Sequence, residues 1–292
     1  MEKTDFIMKP KVDFCFKELM EDSEVRKGFI SAVLKIDPTE VVETILIPTH
    51  LRKKHEKDKL GILDVCIRLN RKQQIDMEIQ IAPFPSWEER TLFYLSKMYA
   101  GNLSEGEDYD MLEKCIQVGI LDFILFPEDG EYYSQFHFWE DNRKRMYSDK
   151  MEIHVLELPK LAEKEYPESE LLNWAKFLSA ERKEDLMQMA AKNEYIGKAY
   201  DRLTHISADE EKRLEYEARE KAIRDHNYLL KVNRKQGLEQ GLEQGLEQGT
   251  KLGEERLIRL MQKMSEGPDA ALIPNLCRDS GLLQQMYEKY KI

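Results

Sequence analysis

The sequence predicts an α/β domain, a sheet flanked by helices, followed by an all-helical C-terminal extension. Residues 41–82 carry a β-branched run and then two runs of period-two alternation. Residues 12–35 and 86–103 carry apolar side chains at helical spacing. Beyond Pro159 the pattern is helical, and from Asp209 the chain is charged and free of proline until Pro268.

Taken in order, VDFCFKELMEDSEVRKGFISAVLK (12–35) reads as two short helices broken near Glu21-Asp22-Ser23, with Ser23 as the cap of the second. VVETILIPTHL (41–51) reads as a strand, and LGILDVCIRLNRKQQIDMEIQIA (60–82) as a hairpin. In its first run Leu63, Val65, Ile67 and Leu69 take one parity, and Asp64, Cys66 and Arg68 the other. In the second, Ile75, Met77, Ile79 and Ile81 oppose Asp76, Glu78, Gln80 and Ala82. A reversal centred on Arg71 sets Asp64 opposite Glu78, within cross-strand reach. SWEERTLFYLSKMYAGNL then starts at an expected Ser86 N-cap and lays a helix on the sheet, giving the order ααβββα. IQVGILDFILF (116–126) is apolar on both parities, as in a strand covered on both faces, and YYSQFHFWE and EIHVLEL read as further strands. Tyr132, Tyr133, Phe136, Phe138 and Trp139 are expected in the core and on sheet faces rather than as base-stacking platforms.

Composition narrows the function classes. The net charge of −11, from 45 basic and 56 acidic residues, argues against nonspecific coating of nucleic acid, but leaves room for a local basic groove beside an acidic metal site. The four cysteines form no CxxC pair and the six histidines no HxxxH, so neither a disulfide framework nor a zinc site is indicated. The N-terminal stretch lacks the apolar core of a secretory signal, and no run approaches the roughly 18 apolar residues of a membrane span. A cytoplasmic protein without a membrane partner is expected.

The hairpin raises a chemical question. Asp64, Glu78 and Gln80 would share one patch, and two carboxylates with an amide oxygen suit a hard cation such as Mg²⁺ or Mn²⁺. Such a cation polarises a phosphodiester and acidifies water. The competing reading is a solvated polar face, the ordinary fate of one side of an antiparallel hairpin. Asp76 shares the parity of Glu78 and takes no role in the first reading.

Five stretches in order resemble a known family. VDFCFKELMED with Asp13, Phe16 and Lys17, LGILDVCI with Asp64, DMEIQ with Glu78 and Gln80, Arg90 with Tyr94, and Gly106 with Tyr109 are similar to the motifs of the Rpn family of recombination-promoting nucleases, transposase-like members of the PD-(D/E)XK superfamily. The similarity spans roughly residues 8–160, continues through VLELPK, and extends to the glycine-repeat tail. It implies a restriction-endonuclease-like core with a mixed sheet, a Mg²⁺- or Mn²⁺-dependent DNA endonuclease activity, and a link to recombination or transposition. It also implies a metal held by Asp64, Glu78 and the backbone carbonyl of Ile79, with Asp64, Glu78 and Gln80 as catalytic residues. Gln80 stands where most of the superfamily has lysine, and Leu63 where it has proline. A glutamine amide carries no charge, so it orients water or substrate only by hydrogen bonds.

Several side chains keep two readings. Asp13 and Lys17 either enter the site as accessory groups, with Tyr94, or form an i, i+4 pair on the first helix. Arg90 either contacts a phosphate or bridges to Glu88 or Asp64. LRKKHEKDK (51–59), with Arg52, Lys53 and Lys54, and NRKR (142–145) are either DNA contacts or solvated loops.

The expected organisation is a nuclease-like domain at 1–160, a helical extension at 161–235, a Gly-Leu-Glu-Gln repeat at 236–254 and a small helical segment at 255–292. The repeat places Gly237, Gly241, Gly245, Gly249 and Gly253 in step, and mid-helix glycines cost ~1 kcal/mol each, so this stretch is not expected to be a stable helix alone. Two functions follow: a metal-dependent DNA endonuclease of low sequence specificity, or a catalytically silent nuclease fold whose tail makes it a homo-oligomer or partner-binding module.

Overall fold

The computed structural model describes residues 6–51, 61–83 and 86–292, so the basic Arg52, Lys53 and Lys54 lie outside the described residues. Two compact units divide between Arg224 and Asp225.

The first unit opens with α1 (Asp13–Met20) and α2 (Ser23–Leu34). Asp22, one residue before the expected Ser23, caps α2 by accepting from the N–H groups of Glu24 and Val25. A six-stranded mixed sheet follows. Its strands are β1 (Thr44–Ile47), β4 (Val65–Leu69), β5 (Gln73–Gln80), β6 (Lys114–Leu121), β7 (Tyr133–Glu140) and β8 (Arg145–Glu157), in the order β1-β4-β5-β6-β8-β7. β1, β4 and β5 are antiparallel, β5, β6 and β8 are parallel, and β7 returns antiparallel on the edge. β2 (His50–Leu51) and β3 (Gly61–Ile62) pair separately.

The hairpin register is the one the alternation predicts: Val65 faces Met77, Cys66 faces Asp76 and Ile67 faces Ile75. Its reversal works because Asn70 and Arg71 both take left-handed backbone, with φ of 48° and 57°. The amide side chain of Asn70 supports that geometry. It accepts from the N–H groups of Val42 and Glu43 and donates to the carbonyl of Glu40.

The two sheet faces are both covered. Val65, Ile67, Ile75, Met77, Ile79, Ile116, Val118 and Ile120 point into the main core with α1 and α2. Residues 161–224, within the extension expected at 161–235, share that core: α4 (Glu170–Ser179), α5 (Lys183–Ala190), α6 (Glu194–Ala208) and the start of α7 (Glu210–Ser265) bury Trp174, Phe177, Leu186, Leu203 and Tyr216 in it. On the opposite face lies α3 (Trp87–Gly101). It packs Tyr94, Leu95 and Met98 against Cys66 and Cys115, and Trp87 against Leu121 and Val155.

Three local readings are corrected. Leu63 lies in the α3-side cluster with Cys66 rather than with Val65, because the chain bends at Asp64 before β4 begins. Ser86 precedes α3 but makes no side-chain cap, and its φ is +64°. Phe136, Phe138 and Trp139 lie on the edge strand β7 and are 43–50% exposed rather than in the core.

α7 (Glu210–Ser265) runs unbroken through the glycine repeat, contrary to the propensity argument. Leu, Glu and Gln between the glycines are good helix formers, and no proline interrupts them. A Cβ added at any of Gly237, Gly241, Gly245, Gly249 or Gly253 would meet nothing within 4 Å. In the second unit α8 (Ser280–Tyr290) folds back on the end of α7, and Leu260, Met264, Leu276 and Met286 close a small core.

Gly119 on β6 lets α3 lie close to the sheet. A Cβ there would come within 2.7 Å of the Trp87 ring. Gly119→Val is therefore expected to destabilise the first unit by about 1–3 kcal/mol in urea unfolding, the usual cost of overpacking.

Candidate functional site

The site forms where β4 begins and β5 runs on toward its end. β4 begins at Val65, so Asp64 sits just beyond the paired strand, and its Oδ2 accepts from the N–H of Ile79 at 3.4 Å. The carboxylate thus lies beside the backbone of β5, next to Glu78. The other oxygen, Oδ1, faces Lys17 Nζ at 2.9 Å, reached from α1. Glu78 points to the α3 side of β5, where Arg90 from the first turns of α3 meets its Oε1 at 3.0 Å. The guanidinium stacks over the Tyr94 ring, 5.2 Å from its centroid. Two acids from neighbouring strands are therefore brought together, each with a cation from a different helix.

The two ion pairs differ in strength. Glu78 is only 1% exposed, whereas the side chains of Lys17 and Asp64 are 41% and 20% exposed. Removing one partner of a buried pair leaves an uncompensated charge and costs about 3–5 kcal/mol. A solvent-facing pair contributes about 0–1 kcal/mol. Arg90 is thus held to Glu78, while Lys17 is held loosely to Asp64.

Burial pushes the Glu78 carboxyl up to about 7; Arg90 opposes the shift, Asp64 adds to it and Lys17 opposes it. Asp76, two residues earlier on the same face, is fully buried and shifted far upward, first by burial and then by Glu78 and Asp64. Neither of its oxygens has a well-formed hydrogen bond, although Gln117 faces it across the β5–β6 register. Asp76, Gln117 and Thr91 make a buried polar layer beneath α3. Alternation alone does not reveal it, because it depends on a helix covering the polar face. The solvated-hairpin reading fails for the same reason.

The remaining residues divide. Gln80 ends β5, its carbonyl accepting from the N–H of Asp122, and its side chain is half-buried. Tyr94 is buried under Arg90. Asp13 does not pair with Lys17: its carboxylate faces Arg219 at 4.0 Å, turning away from the acids. Arg90 bridges to neither Glu88 nor Asp64 but to Glu78. Arg143, in the β7–β8 turn, pairs with Glu140 at the end of β7.

Among the described residues no group of three or more His, Cys, Asp or Glu side chains forms a ready-made cage. Two carboxylates with a neighbouring backbone carbonyl instead suit Mg²⁺ or Mn²⁺, which keeps several waters and needs few protein ligands. All the donors are oxygens, a set that favours these hard cations over the His- and Cys-rich sites typical of zinc.

Glu78 titrates above its ordinary value of 4.5, so its protonated form is favoured by folding. Its contribution to stability is complete below pH 4.5 and is lost as pH rises through about 7. Arg90→Gln removes the main opposing charge. The Glu78 midpoint, followed by carboxyl ¹³C NMR, is expected to move above about 7, and the fall of metal-free stability with rising pH to shift upward with it.

Residues 10–233 match the family model of PD-(D/E)XK nuclease family transposases. No curated protein and no solved structure matches the chain. Among the described residues no helix is long and apolar enough to cross a membrane. Its mixed sheet, the helices on both faces and a family match over most of its length together make this chain a member of the PD-(D/E)XK nuclease family transposases.

Proposed function

We propose that the chain is a divalent-metal-dependent DNA endonuclease of low sequence specificity, acting in recombination or transposition, with Asp64, Glu78 and the Ile79 carbonyl as metal ligands. The observation that carries this reading is the pairing of Asp64 and Glu78 at one end of the hairpin, each facing a basic side chain. A nuclease-type function follows from the family. A bound cation would supply Lewis acidity to the phosphodiester and to the attacking water.

The chain's own residues would do the rest. Asp64 holds its carboxylate against the backbone of Ile79, which fixes it relative to Glu78. Arg90 keeps Glu78 oriented and biases it toward the ionised form that a cation needs. Gln80, on the same face as Glu78, would orient water or a phosphate oxygen by hydrogen bonds. DNA backbone contact is assigned to Arg90 and to the basic stretch Arg52-Lys53-Lys54.

A second reading draws on a different observation. Both acids already have basic partners, and Gln80 offers no ammonium, as in a catalytically silent nuclease fold. In that case α7, with Leu238, Leu242, Leu246 and Leu252 exposed, would act as an oligomerising or partner-binding module.

Asp64→Asn separates the two. It is expected to reduce Mg²⁺-dependent nicking of supercoiled plasmid by at least about 100-fold, with an unchanged melting temperature. Equal nicking by variant and wild type would contradict the endonuclease reading.

A further inference from the structure

We propose that Lys17 is a displaceable counter-cation. It neutralises Asp64 while the site is free of metal, and once Asp64 takes a cation its ammonium swings to the scissile phosphate, supplying the positive charge that Gln80 lacks. This rests on the reading of Asp64 and Glu78 as a metal site.

Four observations support it. First, of the two basic side chains at the acids, Lys17 is held the more loosely: its pair with Asp64 is partly exposed, whereas Arg90 is bound to a carboxylate 1% exposed. A cation arriving at the acids therefore displaces Lys17 far more readily than Arg90. Second, the root of Lys17 is fixed while its head is free. Phe16 and Leu19 beside it on α1 are fully buried in the main core, and a lysine carries its charge on a flexible four-carbon stem. Third, Asp13, one turn earlier on the same helix, faces Arg219 rather than Lys17. Lys11, also near the ends of β5 and β6, is by contrast tied to Asp122 and Glu181 at 3.0 and 3.1 Å. Fourth, Gln80, two residues beyond Glu78 on the same face of β5, is neutral.

In the reaction, the oxygen of water bonds to phosphorus while the bond from phosphorus to the departing sugar oxygen breaks. One proton leaves the water and one reaches the departing oxygen. Lys17 stays an ammonium throughout and meets the negative charge on the non-bridging oxygens, so it neither gains nor loses a proton.

The exchange makes two opposite predictions for one substitution. Lys17→Met removes the competitor for Asp64, so calorimetry on the full chain should show Mn²⁺ binding several-fold more tightly than wild type. Plasmid nicking at saturating Mn²⁺ should nevertheless fall by roughly 100-fold, the usual loss for one charge-stabilising group. Adding Gln80→Lys to Lys17→Met should restore a large part of the nicking. A purely structural role would weaken both binding and nicking together. Unchanged or weaker Mn²⁺ binding in Lys17→Met, or full nicking at saturation, overturns the role of Lys17 alone. Wild-type protein that binds no Mn²⁺ overturns the metal site, and the role of Lys17 with it.

Discussion

A glutamate carboxylate buried between a sheet and a helix sets the terms for the rest of this site. Glu78 is almost inaccessible, and a charge so placed is tolerated only with a partner of opposite sign. α3 supplies Arg90 and closes over the polar face of β5 with Trp87, Tyr94 and Leu95. That closure requires Gly119 beneath Trp87, and it buries Asp76 and Gln117 alongside Glu78. The position of α3, the absence of a side chain at residue 119 and the upward shift of the Glu78 carboxyl are thus consequences of one burial.

Asp64 contrasts with this. It lies just before the start of β4, remains partly solvated, and takes its place from a side-chain contact to the Ile79 N–H rather than from strand pairing. One acid is rigid and insulated; its neighbour is accessible and weakly countered by Lys17. If the pair holds the cation proposed for it, this asymmetry would admit a small hydrated ion from the Asp64 side, with Glu78 already in place.

Much of the site's skeleton was legible in the sequence, because side-chain alternation fixes both register and facing: the spacing of apolar residues around Arg71 gives the observed pairing of Val65 with Met77 and Cys66 with Asp76. What alternation cannot show is what covers a face. The burial of Glu78 and Asp76, the partner of Arg90 and the reach of Lys17 to Asp64 all depend on helices distant in sequence from the hairpin. The flipped side of Leu63 was hidden for another reason, since a single bend at Asp64 reverses parity without a glycine or proline to mark it. The sharing of one core by residues 161–224 was hidden likewise, as an amphipathic helix does not announce which core it joins. In the tail, glycine propensity pointed away from helix, and the favourable residues between the glycines prevailed.

The central claim is that Asp64 and Glu78 jointly hold one divalent cation. Anomalous diffraction from crystals soaked in Mn²⁺ tests it most directly. The account predicts a single strong peak about 2.1–2.2 Å from an oxygen of each carboxylate, close to the Ile79 carbonyl. A map with no peak there, and with Lys17 still on Asp64, would contradict it.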